Sequence, residues 1–193
     1  MRLFIVRHGE ISWSKIGFLS YTDLPLTKKG ILQSKRVALE LKNKNIEEIY
    51  TSNLRRCIQT AEELTKCLNL KIHIVPQLRE VNFGIFEGLT LEEAEEKYPE
   101  IFKKRKRNKW NFSMPQGESY KDAEKRVMPL VKKLIKKNKN IVLVTHVTII
   151  KIILKSLTVI SLKKIEKYQY MPAEVVVLEI KNNKVELKKP ILS

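Results

Sequence analysis

The chain has 193 residues, 43% of them hydrophobic, and a formal net charge of +17. That length suits one domain with enough apolar residues for a core, and no apolar run is long enough to cross a membrane. The first such run, Leu3-Phe4-Ile5-Val6, is stopped by Arg7-His8 before it reaches the length of a signal-peptide core, so a cytoplasmic protein is expected. The charge favours anionic partners of any class, but the lysines are spread over the whole chain, as they also are in heat-adapted and lysine-rich proteomes. Cys57 and Cys67 fall on one predicted helix, where the helical rise separates them by roughly 15 Å, against the roughly 7 Å a disulfide can span. Neither a disulfide nor an oxidising compartment is expected.

In chain order, residues 3–6 read as a strand buried on both faces, because near-continuous apolar runs of this length belong to the interior of parallel sheets. Thr27 caps a predicted helix to about residue 43, with Ile31/Ala38 and Leu32/Leu39 repeating on its inner side. A short strand at 46–51 precedes a second helix, capped by Ser52 or Asn53, that runs to about residue 68. Residues 71–75 alternate as a third strand, Ile72 and Ile74 facing one way, which makes His73 a structural residue. Thr90 with Glu93 is a capping-box signature for a short helix ending before Pro99, and 103–115 is basic, aromatic and irregular. Ser119 opens a helix carrying Val127, Leu130, Val131, Leu134 and Ile135 at helical spacing, with Pro129 expected to kink or restart it. A second buried strand, Ile141-Val142-Leu143-Val144-Thr145, ends at His146, which begins an apolar helix to about residue 157. Strands at 174–180 and 185–187 flank Asn182-Asn183, a two-residue hairpin signal. The alternation predicts a three-layer α/β/α sandwich, its sheet mostly parallel with an antiparallel edge, as one domain over 1–193 with a helical, basic insertion at about 83–118.

Of the chain's 3 histidines, two terminate apolar strands. Ligands in open α/β sheets collect beyond the carboxyl ends of such strands, so both imidazoles are expected where chemistry happens. Arg7, His8 and Gly9 suit attack on a phosphate: the glycine lets backbone approach the substrate, and arginine offers a planar, permanently charged fork. Ser52-Asn53-Leu54-Arg55-Arg56, Glu80 ahead of Phe83-Gly84, Pro115-Gln116-Gly117-Glu118-Ser119 and His146 complete a set suited to phosphoryl transfer through a phosphohistidine.

These motifs resemble the histidine phosphatase superfamily, the phosphoglycerate-mutase-like proteins, over almost the whole chain. Arg7-His8-Gly9-Glu10 matches the opening motif, Asp23-Leu24-Pro25-Leu26-Thr27 an early one, and Ser52 through Ala61 the Ser-x-Leu-x-Arg-x-x-x-Thr-Ala pattern. Glu80-Val81-Asn82-Phe83-Gly84-Ile85-Phe86-Glu87-Gly88 matches the acid motif. The resemblance implies His8 as nucleophile, Glu80 as general acid and base, His146 as a donor to the phosphoryl oxygens, and Arg7 and Arg56, rather than Arg55, as phosphate ligands. It implies no metal and no cofactor. Glu87 and Glu118 are expected to organise loops, and Trp13 and Trp110 either to line the pocket mouth or to pack on the insertion. Val147 and Thr148 replace the usual glycine after the second histidine, and Lys151 the usual later arginine. Ser14 replaces a common asparagine and Ser20 a common glycine, and these two are the positions expected to contact substrate beyond the phosphate.

The resemblance is to short members that hydrolyse, nearest the α-ribazole phosphatase and broad-specificity branch. It implies a metal-independent phosphomonoesterase, with α-ribazole 5'-phosphate of cobalamin biosynthesis as the named substrate. Phosphoserine or sugar-phosphate hydrolysis and phosphoglycerate mutase activity are the alternatives. A small phosphorylated metabolite is the expected partner, a homodimer is allowed, and neither membrane nor specific nucleic acid is expected. The contrasting reading, a non-enzymatic polyanion binder, lacks a helix-turn-helix, zinc or stacking signature.

Overall fold

The computed structural model describes residues 1–12, 17–182 and 184–188. Strand β1 (Arg2–Arg7) leads to helix α1 (Lys28–Leu41), then β2 (Glu48–Thr51), α2 (Arg55–Leu68) and β3 (Ile72–Ile74). Two single tight turns, Pro76–Leu78 and Gly84–Phe86, precede helices α3 (Leu91–Lys97), α4 (Pro99–Arg107) and α5 (Tyr120–Ile135). Strand β4 (Ile141–Thr145), α6 (Val147–Leu157), α7 (Leu162–Lys167), β5 (Val175–Lys181) and β6 (Lys184–Lys188) follow. The strands form one sheet in the order β3-β2-β4-β1-β5-β6. The first four in that order run parallel, and β5 and β6 add an antiparallel edge.

The sheet is covered on both faces, as the apolar runs of β1 and β4 require. Phe4 and Val6 point with Val142 and Val144 to the side covered by Val37, Ala38 and Leu41 of α1 and Cys57, Ala61 and Leu64 of α2. Leu3, Ile5 and Leu143 point to the other side, against Val127 and Val131 of α5 and Ile149 and Ile153 of α6. The three-layer sandwich follows from this two-sided burial. Among the described residues, no helix is long and apolar enough to cross a membrane.

Several local expectations change. Helix α1 buries Gly30, Ser34, Val37, Ala38 and Leu41, so Leu32 and Leu39, 65% and 66% exposed, lie on the outer face. A pair spaced by seven residues marks a stripe without saying which way it points, and close backbone packing at Gly30 decides it: a Cβ there would sit 2.1 Å from the Glu10 carbonyl oxygen. Helix α2 is capped by neither Ser52 nor Asn53. Its N-cap is Leu54, and the Arg55 N–H donates instead to Asp23 Oδ1 at 2.6 Å, from a distant loop. The run 103–107 is not irregular; Pro99 starts α4 and those residues continue it. Pro129 does not interrupt α5, because the ring is exposed and the one backbone bond it removes falls at exposed Lys125, where water can hydrate the freed carbonyl. Helix α7, capped by Ser161, stands where the sequence pattern predicts no element. On β3 Ile74 is 53% exposed, and the exposed His73 ring stacks on Tyr50 at 4.8 Å. The β5–β6 turn has the expected two residues between paired Lys181 and Lys184, with Asn182 at φ 49°. Asn183 lies outside the described residues.

Candidate active site

Strand pairing assembles the centre. Arg7 pairs with Thr145 in the parallel register of β1 and β4, so the residues that leave the two strands, His8 and His146, come together. Their ring centroids are 5.3 Å apart and both side chains are buried. The backbone under His8 is fixed from two sides: its N–H donates to the Thr145 carbonyl at 3.1 Å, and its carbonyl accepts from the Ala173 N–H at 3.1 Å. His8 Nδ1 lies 2.8 Å from the Gly9 carbonyl oxygen. That oxygen can only accept, so Nδ1 carries the proton and Nε2 of the neutral ring keeps its lone pair. Burial pushes the His8 pKa well below its ordinary 6.5, and the Arg56 and Arg7 charges push it the same way. His146 is depressed by the same causes, burial first, and its Nε2 is 3.0 Å from Ser52 Oγ.

Two arginines supply the positive charge. Arg7 Nη1 donates to the Tyr170 carbonyl at 2.5 Å. Arg56, 1% exposed, reaches back from the first turn of α2 and donates from Nη1 to the Thr22 carbonyl (3.0 Å) and from Nη2 to the Ser20 carbonyl (3.4 Å). The Nε atoms of Arg7 and Arg56 are buried with no hydrogen-bond partner. Buried donors without acceptors are costly, and two of them beside a pair of neutral imidazoles fit a phosphoryl group, whose oxygens can accept from both forks.

The loop that holds Arg56 is itself held by Glu87. The Glu87 carboxylate accepts from the Ser20 N–H (2.8 Å) and hydroxyl, the Tyr21 N–H (2.9 Å), and the Thr22 N–H and hydroxyl (both 3.0 Å). Burial alone would raise the Glu87 pKa, but these donors outweigh it and the net shift is downward. Five donors on one carboxylate fix the carbonyls that aim the guanidinium.

Glu80, 6% exposed and within electrostatic reach of Arg7 and Arg56, lies on the segment between the two tight turns. Its Oε1 accepts from the Val81 N–H at 2.8 Å and its Oε2 from the Thr148 N–H at 3.3 Å. Burial raises its pKa above the usual 4.5 despite those bonds and the pull of Arg56. The segment is strapped from behind by Arg126 of α5, which donates to the Gln77 carbonyl (2.6 Å) and the Glu80 carbonyl (3.1 Å). Arg126 also forms a forked pair with Glu118 (2.7 and 3.1 Å), while Glu118 accepts from the Asn82 N–H at 3.0 Å. The arrangement therefore offers an uncharged nucleophile, fixed cations and a carboxyl kept toward its protonated form within one buried centre, the parts needed to move a phosphoryl group onto nitrogen. Among the described residues, no group of three or more His, Cys, Asp and Glu side chains is placed to hold a metal ion.

Comparison with known proteins decides the family. The family model of the histidine phosphatase superfamily (branch 1) matches residues 3–191. The chain belongs to this superfamily. Phosphoserine phosphatase 1 of Hydrogenobacter thermophilus is 31% identical over 149 residues, 76% of this chain and 71% of that protein. A 6-phosphofructo-2-kinase/fructose-2,6-bisphosphatase of Gallus gallus is 29% identical over 154 residues, 79% of this chain but only 32% of that longer protein. Among solved structures, a putative alpha-ribazole-5'-P phosphatase of Escherichia coli superimposes with a TM-score of 0.86 at 21% identity, covering 97% of this chain and 94% of its own. A mycobacterial glucosyl-3-phosphoglycerate phosphatase gives 0.84 at 23% identity, over 96% of each chain. At such identities these likenesses concern the fold.

For a histidine phosphatase, the expected site residues His8, His146, Arg7, Arg56 and Glu80 are brought together by the fold. Ser14, like Trp13, lies outside the described residues. Ser20 is 1% exposed and gives its hydroxyl to Glu87, so it reaches the site through its carbonyl and Arg56 rather than through a side chain facing substrate. Val147 in place of glycine leaves the backbone donor from Thr148 to Glu80 intact. Trp110 packs edge-on against Tyr120 at 6.2 Å, on the insertion. The sequence alone gives no role to Arg126, marks Thr148 only as a departure beside Val147, and offers Ser52 as a possible cap within the Ser52–Arg56 motif; the roles seen here depend on contacts across dozens of residues, for which no local period gives a signal.

The two adjacent arginines provide a sharp check of register. Arg55 is exposed and Arg56 is buried against the loop 20–22. Arg56→Ala is expected to lower kcat/KM by roughly ten- to a hundredfold, the loss of a charge-assisted contact of about 1.5–3 kcal/mol, and Arg55→Ala by less than about twofold. Steady-state kinetics of both variants, each shown by thermal melting to be folded, would give equal losses if Arg56 were not the phosphate ligand.

Proposed function

We propose that the protein is a metal-independent phosphomonoesterase that hydrolyses small phosphorylated metabolites through a phosphohistidine on His8. The observation that carries this reading is the buried, neutral His8 ring, its Nε2 free to attack, beside two arginine Nε donors without partners. In the first step Nε2 attacks phosphorus, the bond from phosphorus to the leaving oxygen breaks, and Glu80 gives its proton to that oxygen. In the second, Glu80 takes a proton from water as that water attacks the phosphohistidine. The phosphorus–nitrogen bond breaks, phosphate leaves, and His8 and Glu80 regain their starting forms. Arg7, Arg56 and the His146 ring hold the charge of the equatorial oxygens in both steps.

The named substrate expected from the sequence is α-ribazole 5'-phosphate, and its support is the resemblance to that branch together with the shared fold. Phosphoserine stands beside it, supported by the 31% identity to a phosphoserine phosphatase. In this reading the protein works in the cytoplasm on a soluble metabolite, and its basic surface attracts anionic substrates rather than nucleic acid. The deciding experiment compares kcat/KM for α-ribazole 5'-phosphate, phosphoserine, 3-phosphoglycerate, fructose 2,6-bisphosphate and p-nitrophenyl phosphate, all in excess EDTA. Turnover of p-nitrophenyl phosphate is expected to persist in the chelator, because arginines and imidazoles supply the charge stabilisation. Loss of turnover that returns with a divalent ion would contradict the metal-independent chemistry, and a preference of tenfold or more within the panel names the substrate.

A further inference from the structure

Arg56 is aimed by the carbonyls of a loop that the Glu87 carboxylate gathers, and a second buried carboxylate, Glu174, stands in the same relation to Arg7. Residues 168–174 join α7 to β5. Within them Glu174, 4% exposed, accepts from the Tyr168 hydroxyl through Oε1 and from the Met171 N–H through Oε2 at 2.7 Å. Its own N–H donates to the Met171 carbonyl at 3.1 Å, which closes the turn. The bond to Glu174 pushes the Tyr168 pKa up to about 12, so the hydroxyl keeps its proton at neutral pH. The Tyr168 and Tyr170 rings pack edge to face, 4.8 Å apart.

The backbone of this turn touches the centre at three points. The Tyr170 carbonyl accepts from Arg7 Nη1 at 2.5 Å, the Glu174 carbonyl accepts from the Arg7 N–H at 3.0 Å, and the Ala173 N–H donates to the His8 carbonyl at 3.1 Å. Ala173 sits at φ 61°, a left-handed conformation that an alanine keeps only where surrounding contacts impose it. The bonds to Glu174 supply such contacts. With Nη1 on a fixed carbonyl, Arg7 Nε stays buried without a partner, free for a phosphoryl oxygen. Burial lowers the Arg7 pKa, and the Glu80 and Glu174 charges act against that shift. Glu174 thus favours the charged guanidinium without occupying its fork, since its own oxygens are committed to Tyr168 and Met171.

We propose that Glu174 is a positioning residue for phosphate binding: it clasps the turn 168–173 so that the Tyr170 carbonyl aims the Arg7 guanidinium at the phosphoryl group. The proposal rests on the phosphomonoesterase reading and adds to it a residue outside the sequence motifs. A clasp that served the fold alone would stabilise the protein equally whether or not Arg7 were present.

The test is a double-mutant cycle on the full chain, read as kcat/KM for p-nitrophenyl phosphate and as the calorimetric dissociation constant of inorganic phosphate. Glu174→Ala is expected to lower kcat/KM by about tenfold or more and to weaken phosphate binding by about threefold or more. In an Arg7→Ala background the same substitution is expected to cost less than about twofold in either, because the guanidinium that it aims is gone. Glu174→Gln can accept from the Met171 N–H and donate to the Tyr168 oxygen, so it keeps the clasp without the charge and is expected to stay within about threefold of the wild type. Tyr168→Phe removes one bond of the clasp from an exposed ring, is expected to cost about threefold and only where Arg7 is present, and decides the matter if Glu174→Ala does not fold. Equal losses with and without Arg7, or wild-type kinetics and phosphate binding in the folded variant, overturn the proposal. A loss in Glu174→Gln as large as that in Glu174→Ala also overturns it, since the effect would then lie in the charge and not in the clasp. Absence of p-nitrophenyl phosphate turnover by the wild type would instead overturn the phosphatase reading, and phosphate binding would still report on the cycle, so the two failures are distinguishable.

Discussion

His8→Ala is expected to abolish phosphoenzyme formation and to reduce kcat by several orders of magnitude. In the proposed mechanism the attacking atom is Nε2 of His8, and the other imidazole is not placed to replace it: His146 Nε2 is turned to Ser52 Oγ at 3.0 Å and lies 3.4 Å from Cys57 Sγ. Cys57 cannot serve either, because burial raises its thiol to about 12 and leaves almost no thiolate at neutral pH. Rapid quenching with a radiolabelled phosphomonoester should trap an acid-labile phosphoenzyme in the wild type and none in the variant, with circular dichroism showing the fold retained. A variant that kept both turnover and the trapped intermediate would refute the assignment of the nucleophile. The fold should tolerate the change, since the backbone N–H and carbonyl of residue 8 keep their bonds to Thr145 and Ala173 whatever the side chain.

The pairing of His8 with His146 was legible because β1 and β4 are buried on both faces, which forces continuous apolar runs and makes polar residues at their ends conspicuous. The parallel register then brings the ends together, a consequence of sheet topology that the alternation of strands and helices already implied. Other features left no such trace. Leu32/Leu39 and Ile31/Ala38 satisfy a seven-residue repeat equally, and only the tight approach of Gly30 to Glu10 decides which pair turns inward. The run 103–109 reads as one charged face if its composition alone is counted, but the helical period carries Arg105 inside. Asp23 capping α2, Glu87 gathering the loop 20–22 and Arg126 bracing Glu80 join residues 32, 67 and 46 positions apart at their farthest, beyond any local pattern.

Glu80→Gln is expected to lower kcat by roughly 10²–10⁴-fold for an alkyl phosphomonoester, the range general acid–base catalysis contributes. The loss should be much smaller in the first step with p-nitrophenyl phosphate, whose phenolate leaves without needing a proton. On the proposed mechanism dephosphorylation still needs Glu80 as base, so with that substrate the variant is expected to release one equivalent of nitrophenolate in a burst and to accumulate the phosphohistidine. The pH dependence carries the same signature. Attack requires His8 unprotonated, and its depressed pKa keeps it so as pH falls through 6.5, while leaving-group protonation requires Glu80 protonated, and its raised pKa extends that form above 4.5. The wild-type rate of phosphorylation of an alkyl substrate should therefore increase from neutral toward mildly acidic pH, falling only when His8 gains its proton. Glutamine does not ionise, so the variant should lose the decline on the alkaline side and keep the one set by His8. Equal losses with alkyl and aryl substrates, or an alkaline limb unchanged in the variant, would place the proton donor elsewhere and leave Glu80 as a structural carboxyl held by Val81 and Thr148.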